Sequence, residues 1–158
     1  MVDQPPGTHL AQLNVGRARF ALDDARMAGF MGALDSINAL AERSPGFVWR
    51  LQSDAGNATD IKLTADPLFI VNMSVWETPE HLEHFVWNTV HKRVYEKKGN
   101  WFEPMATPHF VMWWVPAGHE PTPEEAMAGL ADLARPSERA FGWESLPNVK
   151  LWMSQRCA

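Results

Sequence analysis

The order in which two-residue and 3.6-residue periodicities follow one another constrains this chain more than any other feature. His9 to Gly16 alternates, with Ala11, Leu13 and Val15 on one side and Leu10, Gln12 and Asn14 on the other, as a strand requires. After Asp23-Asp24, either of which can cap a helix, Met27, Phe30, Leu34, Ile37 and Ala41 recur at spacings of three and four. Ser44-Pro45-Gly46 stops that helix near Arg43. Phe47 to Gln52 reads as a second strand and Ser53 to Asp66 as a polar loop. Leu68 to Trp76 is a third strand, apolar on the face of Phe69, Val71, Met73 and Val75 and mixed on the face of Ile70, Asn72, Ser74 and Trp76. Thr78-Pro79-Glu80 opens a second helix that runs to about Lys98, and His109 to Val115 is a fourth strand ended by Pro116 and Gly118. Thr122-Pro123-Glu124-Glu125 is a capping box for a third helix reaching about Ala134, and Val149 to Met153 reads as a short further strand.

The order β-α-β-β-α-β predicts an α+β, ferredoxin-like fold, a four-stranded sheet with its helices on one face and an added C-terminal helix. At 158 residues the chain suits one domain, 1–158, with a core over 8–135 and an extension over 136–158 of unassigned role. The odd-numbered strand residues are expected beneath the helices. Gln12, Asn14, Asn72, Ser74 and Trp76, joined by Arg50 from strand two, are expected on the face away from them. That second face also carries apolar and aromatic side chains, a patch that a lone chain would expose, so pairing with a second copy is expected.

Charge narrows the function classes. The net charge of −5 and the scatter of basic residues, apart from Lys92-Arg93 and Lys97-Lys98, leave no basic face for phosphates, which argues against nucleic acid. A single cysteine, Cys157, permits no intrachain disulfide and fits a reducing compartment. The first 20 residues lack an apolar signal core. No run approaches the roughly 18 apolar residues of a membrane span, so a cytoplasmic protein without membrane contact is expected.

Gln12, Asn14, Asn72, Ser74 and Arg50 set a few polar groups within a surface rich in tryptophan, of which the chain has eight. That matches the composition of ligand pockets. The alternative is that these groups only satisfy one another or a partner chain. Trp113 and Trp114 must face opposite sides of their strand, and Trp114 is assigned to the interior. On helix two, His84, Asn88, His91 and Tyr95 form a polar stripe. Histidine as a residue type titrates near neutral pH, so His91, beside Trp87 at the edge of the apolar arc, is the acid/base candidate. His91, Asn72 and Arg50 are thus the candidate catalytic residues, and Gln12, Asn14, Ser74, Trp76, Trp87 and Trp114 the candidate substrate contacts. His81 and His84 with Glu77 and Glu80 form no His-Glu-x-x-His pattern, and no metal site is expected. A phosphate loop and a nucleophile elbow are also missing, and His119 beside Glu120 reads as a surface histidine.

The stretches from His9 to Arg17, Asn38 to Arg50, Ser74 to Glu77 and Trp113 to His119 resemble an uncharacterised family, a domain of unknown function similar to the dimeric α/β barrel proteins that include antibiotic-biosynthesis monooxygenases. The resemblance covers residues 8–135 and implies two chains pairing as a dimeric α/β barrel around a small-molecule site. It also implies a tailoring enzyme, a cofactor-independent monooxygenase acting on an aromatic or polycyclic secondary metabolite. In such a site Asn14, Asn72, Ser74 and Arg50 stabilise an enolate or phenolate. A cyclase or isomerase in the same pocket stays open. So does a ligand-binding or haem protein without turnover, its iron held by His91 or His84.

Overall fold

Local signals place the elements of the structure, a computed structural model that describes residues 1–54, 56–88, 97–105, 109–133 and 139–147. Strand β1 spans Thr8–Arg17, helix α1 Ala28–Glu42, β2 Phe47–Arg50, β3 Phe69–Trp76, α2 Pro79–Asn88, β4 Phe110–Pro116 and α3 Pro123–Asp132. Asp24 caps the 3-10 turn Ala25–Met27 that leads into α1 by accepting from the Arg26 amide. Thr78 accepts from the His81 amide at the start of α2. Thr122 and Glu125 close the expected capping box on α3, each side chain bonded to the other's backbone N–H. The expected continuation of helix two through His91 and Tyr95, and the short strand expected at Val149 to Met153, lie outside the described residues.

The sheet has the order β2-β3-β1-β4 with every neighbouring pair antiparallel, which is the ferredoxin-like arrangement. Between β1 and β3 the register sets Leu10 opposite Trp76, Gln12 opposite Ser74 and Asn14 opposite Asn72. On the other side of β1, Leu10 meets Trp114, Gln12 meets Met112 and Asn14 meets Phe110. In β2 the pairing shifts between Phe47 and Trp49. The extra residue puts Phe47 and Arg50, three apart in sequence, on one face of the sheet.

The two faces are covered differently from expectation. Helices α1 and α2 lie on the face of Leu10, Trp76 and Met112, through Ala41, Leu82 and Phe85. Gln12, Asn14, Asn72, Ser74, Trp76 and Trp114 are therefore on the helix-bearing face, not the face away from it. The odd-numbered set, Ala11, Leu13, Val15, Val71, Met73 and Val75 with Val111, Trp113 and Val115, packs instead under Ala126, Met127 and Leu130 of α3 and under Ala58, Ile61 and Leu63 of the connection before β3. The physical reason is that alternation fixes which residues share a face, whereas both faces here are apolar enough to be buried. The second face is thus covered by the chain itself, which removes the exposed patch on which pairing was expected.

A third cluster closes the far end of the α1 face, where Ile70 packs with Ala18, Met27 and Trp101 and with Phe30 and Phe102. An isolated bridge joins Ala18 to Phe102, and Arg17 ties this end together through Asp66 at 2.7 Å and Glu103 at 2.9 Å. At the β4 edge, Phe141 and Met112 exchange backbone hydrogen bonds of 2.8 and 3.0 Å. Part of the C-terminal extension is thereby built onto the sheet.

Candidate functional site

The face under α1 and α2 divides into rows across the strands. Leu10, Trp76, Trp114 and Phe47 form an apolar row at one end, and Ile70 lies at the other beneath Trp101 and Phe30. Between them come a polar row, Gln12, Ser74 and Arg50, and then the cross-strand pair Asn14 and Asn72. Asn14 is the one exposed residue of β1 and Asn72 the one exposed residue of β3. A sheet face sealed at both ends therefore opens at two adjacent amides.

Hydrogen bonds order the polar row. Gln12 Nε2 donates to Asn72 Oδ1 at 2.9 Å and to Ser74 Oγ at 2.8 Å, and Trp76 Nε1 donates to Ser74 Oγ at 2.9 Å. Indole nitrogen can only donate, so Ser74 accepts twice and its own proton is left to donate. Mutual satisfaction, one of the two readings offered by the sequence, holds within this chain of groups. Its buried members satisfy one another, and its outer member, Asn72, reaches the surface.

Arg50 comes to the same face through the β2 irregularity. Its Nε donates to Glu42 Oε1 of α1 at 2.8 Å, and its side chain is only 12% exposed while that of Glu42 is 44% exposed. Among the described residues its terminal nitrogens have no partner, so a cation is held in place with two donor groups uncommitted.

The tryptophans separate by role. Trp76 is 0% exposed, stacked on Phe85 at 5.1 Å and met edge-on by Phe47 at 5.5 Å. It is a core residue whose hydrogen bond to the polar row is the one to Ser74. Trp113 packs under α3 and Trp114 lies on the α1 and α2 side against Phe141 at 5.3 Å, so both sit beneath a covering layer. The indole nitrogens of both are buried without a hydrogen-bond partner among the described residues. Phe110, beside Asn14, is stacked on Trp143 at 5.7 Å.

The histidines are largely accounted for. His81 Nδ1 lies 2.9 Å from Thr78 Oγ1, and its ring fills the space where Gly46 lacks a side chain. His119 pairs with Glu125 of the α3 capping box at 2.9 Å. His84 is exposed and Trp87 half-buried on α2, each making interactions of its own, while His91 lies outside the described residues. Among the described residues, no three histidine, cysteine or acidic side chains converge as a metal site would need.

One polar residue escaped the sequence reading. Asn38 of α1 is 7% exposed. The only signal for it was an amide interrupting the apolar arc of Ile37, Leu40 and Ala41.

Likeness to known proteins is sparse. No curated protein matches the sequence. A solved protein of unknown function from Nitrosomonas europaea is similar with 12% identity and a TM-score of 0.48, over 75% of this chain and 99% of that one. Another from the same organism, provisionally described as an antibiotic biosynthesis monooxygenase, is similar with 16% identity and a TM-score of 0.43, over 72% of this chain and 91% of that one. The profile of a family described as a domain of unknown function, DUF3291, matches residues 9–157, which takes in the extension as well as the sheet and helices. The chain belongs to the DUF3291 family.

Proposed function

We propose that the opening at Asn14 and Asn72 binds a small, flat, oxygen-bearing aromatic molecule, and that the protein turns it over as a cofactor-independent monooxygenase. The observation that carries this reading is the exposure of one cross-strand amide pair between two apolar clusters that cover the ends of the same face. Beside it stand a fixed cation, Arg50, and a hydrogen-bonded row, Gln12 and Ser74, which suit an oxygen that gains negative charge. The substrate class that fits has a methylene group flanked by a carbonyl or phenol. Loss of a proton to water at the opening gives an enolate whose oxygen Arg50 and Asn72 stabilise; the carbanion adds dioxygen, the peroxide takes a proton back from water, and loss of water from the hydroperoxide leaves the carbonyl. In balance, one methylene and one dioxygen give one carbonyl and one water. Arg50 and Asn72 thus hold the role of oxyanion stabilisers, Gln12, Ser74 and Asn14 orient the ligand, and Phe110, beside Asn14, supplies apolar wall.

Oxygen uptake by purified protein with polycyclic phenols and ketones, followed by isotopic labelling of the product from heavy dioxygen, tests the reading. One labelled oxygen in the new carbonyl supports it. Isomerisation without uptake replaces the oxygenase with a cyclase or isomerase, and an intense absorption band in the Soret region of the purified protein redirects it to haem. Asn72→Ala is expected to slow turnover by about tenfold or more, since losing a hydrogen bond to a charged group costs about 1.5–3 kcal/mol. Unchanged turnover removes Asn72 from the site.

A further inference from the structure

Polar side chains beneath a helix are normally paired, because an unpaired buried amide costs free energy at no gain to the fold. Asn38 departs from this. It is 7% exposed on α1, in the layer between that helix and the sheet, and its amide has no hydrogen-bond partner among the described residues. Its polar atoms are not among those sealed away like the indole nitrogens of Trp113 and Trp114, so the amide borders a space open to water.

Helical spacing says which space this is. At about 100° per residue, Asn38 falls between Ala41 and Glu42 around the helix. Ala41 packs in the Trp76 cluster, and Glu42 holds the Arg50 side chain at 2.8 Å. Arg50 in turn lies opposite Ser74 in the register. Asn38 therefore stands on the helix side of the row made by Arg50, Ser74 and Gln12.

We infer that Asn38 is a ligand-binding residue, whose amide hydrogen-bonds a bound molecule from the helix side while Asn72 and Arg50 meet it from the sheet. The inference rests on the reading above, that this opening takes a flat, oxygen-bearing aromatic. It adds that the ligand is held between two layers and carries hydrogen-bonding groups on two edges. A molecule with oxygen on one edge alone leaves Asn38 unpaired and binds more weakly.

The test compares the parent with Asn38→Leu, close in size but apolar, and with Asn38→Ala. Thermal midpoints are recorded without ligand and with 1,8-dihydroxyanthraquinone as the probe, and affinities are taken from fluorescence titration. Without probe, the Asn38→Leu midpoint is expected to match or exceed the parent's, since an unpaired amide is exchanged for an apolar group. With probe, both variants are expected to lose affinity about tenfold. Equal affinity in parent and variants overturns the role of Asn38 while the aromatic reading stands. A lower midpoint of Asn38→Leu without probe overturns it whatever the affinity does, because the amide is then already paired in the empty protein. Failure of the parent itself to bind the probe overturns the aromatic reading and this assignment with it.

Discussion

Gly46 shows how a single backbone position can settle the fate of a neighbouring side chain. Its φ of +78° is one that an L side chain rarely adopts, and a Cβ there would collide with the His81 imidazole. The same residue accepts the Glu77 amide at 2.8 Å, so the turn before β2 is fastened to the start of α2. Gly46→Ala is expected to lower stability by about 1 kcal/mol or more from the backbone term alone, read as a shift in urea midpoint. Pairing it with His81→Ala should restore only part of the loss, because the collision is relieved and the strained φ is not. Full restoration would show that the backbone term is absent. At this scale the sequence was informative where side chains follow a period. Gln12, Ser74 and Asn72 do share one face, as alternation required. Trp76 shares it too, but its complete burial depends on Phe85 and Phe47, and no period reveals which rings meet. Asn38 was missed for a related reason: one polar residue in an apolar arc is indistinguishable from a tolerated exception until the helix is seen against the sheet.

Helix ends were the most legible elements, because a cap is written in three or four consecutive residues. Thr122→Ala should cost about 0.5–2 kcal/mol in urea titrations, and no change would mean that the capping box carries no weight. Asp24 gives a second test, through pH. The Arg26 side chain, and then the Arg26 backbone N–H, hold its carboxyl down from the ordinary 3.8 to about 2. A carboxyl depressed in the folded state adds stability that is present above the ordinary value and lost as pH falls through the folded one. The contribution of Asp24 should therefore disappear between roughly pH 4 and pH 2. Asp66, lowered by the Leu68 backbone N–H first and by Arg17 second, acts in the same direction. Asp24→Asn keeps a good capping residue but cannot titrate, so its stability profile between those pH values should be flatter than the parent's. Parallel profiles would mean that Asp24 is not depressed. The side of the sheet on which each helix lies was not legible, since the direction of a crossover is not encoded in the residues that cap it.

At the scale of the whole molecule, the sheet is an inner layer, with α1 and α2 over one face and α3 with the connection before β3 over the other. Sequence order foretold the ferredoxin-like strand arrangement, but it gave α3 no place, and the apolar second face therefore called for another chain. The structure fills that place with Ala126, which is 0% exposed against the odd-numbered strand residues. An unpaired carboxylate there cannot be solvated without lifting α3, so Ala126→Asp is expected to cost about 3 kcal/mol or more. A second consequence concerns concentration. If the core is completed within one chain, a partner copy contributes nothing to its stability, whatever other surface two chains use to associate. Linkage requires a fold that depends on association to become more stable as protein concentration rises. The urea midpoint should thus stay constant from about 1 to about 100 μM, whereas the unfolding of an obligate pair would shift by about 2.7 kcal/mol over a hundredfold change. A midpoint that rises with concentration would show that a second copy supplies part of the core, and that α3 does not by itself cover the sheet.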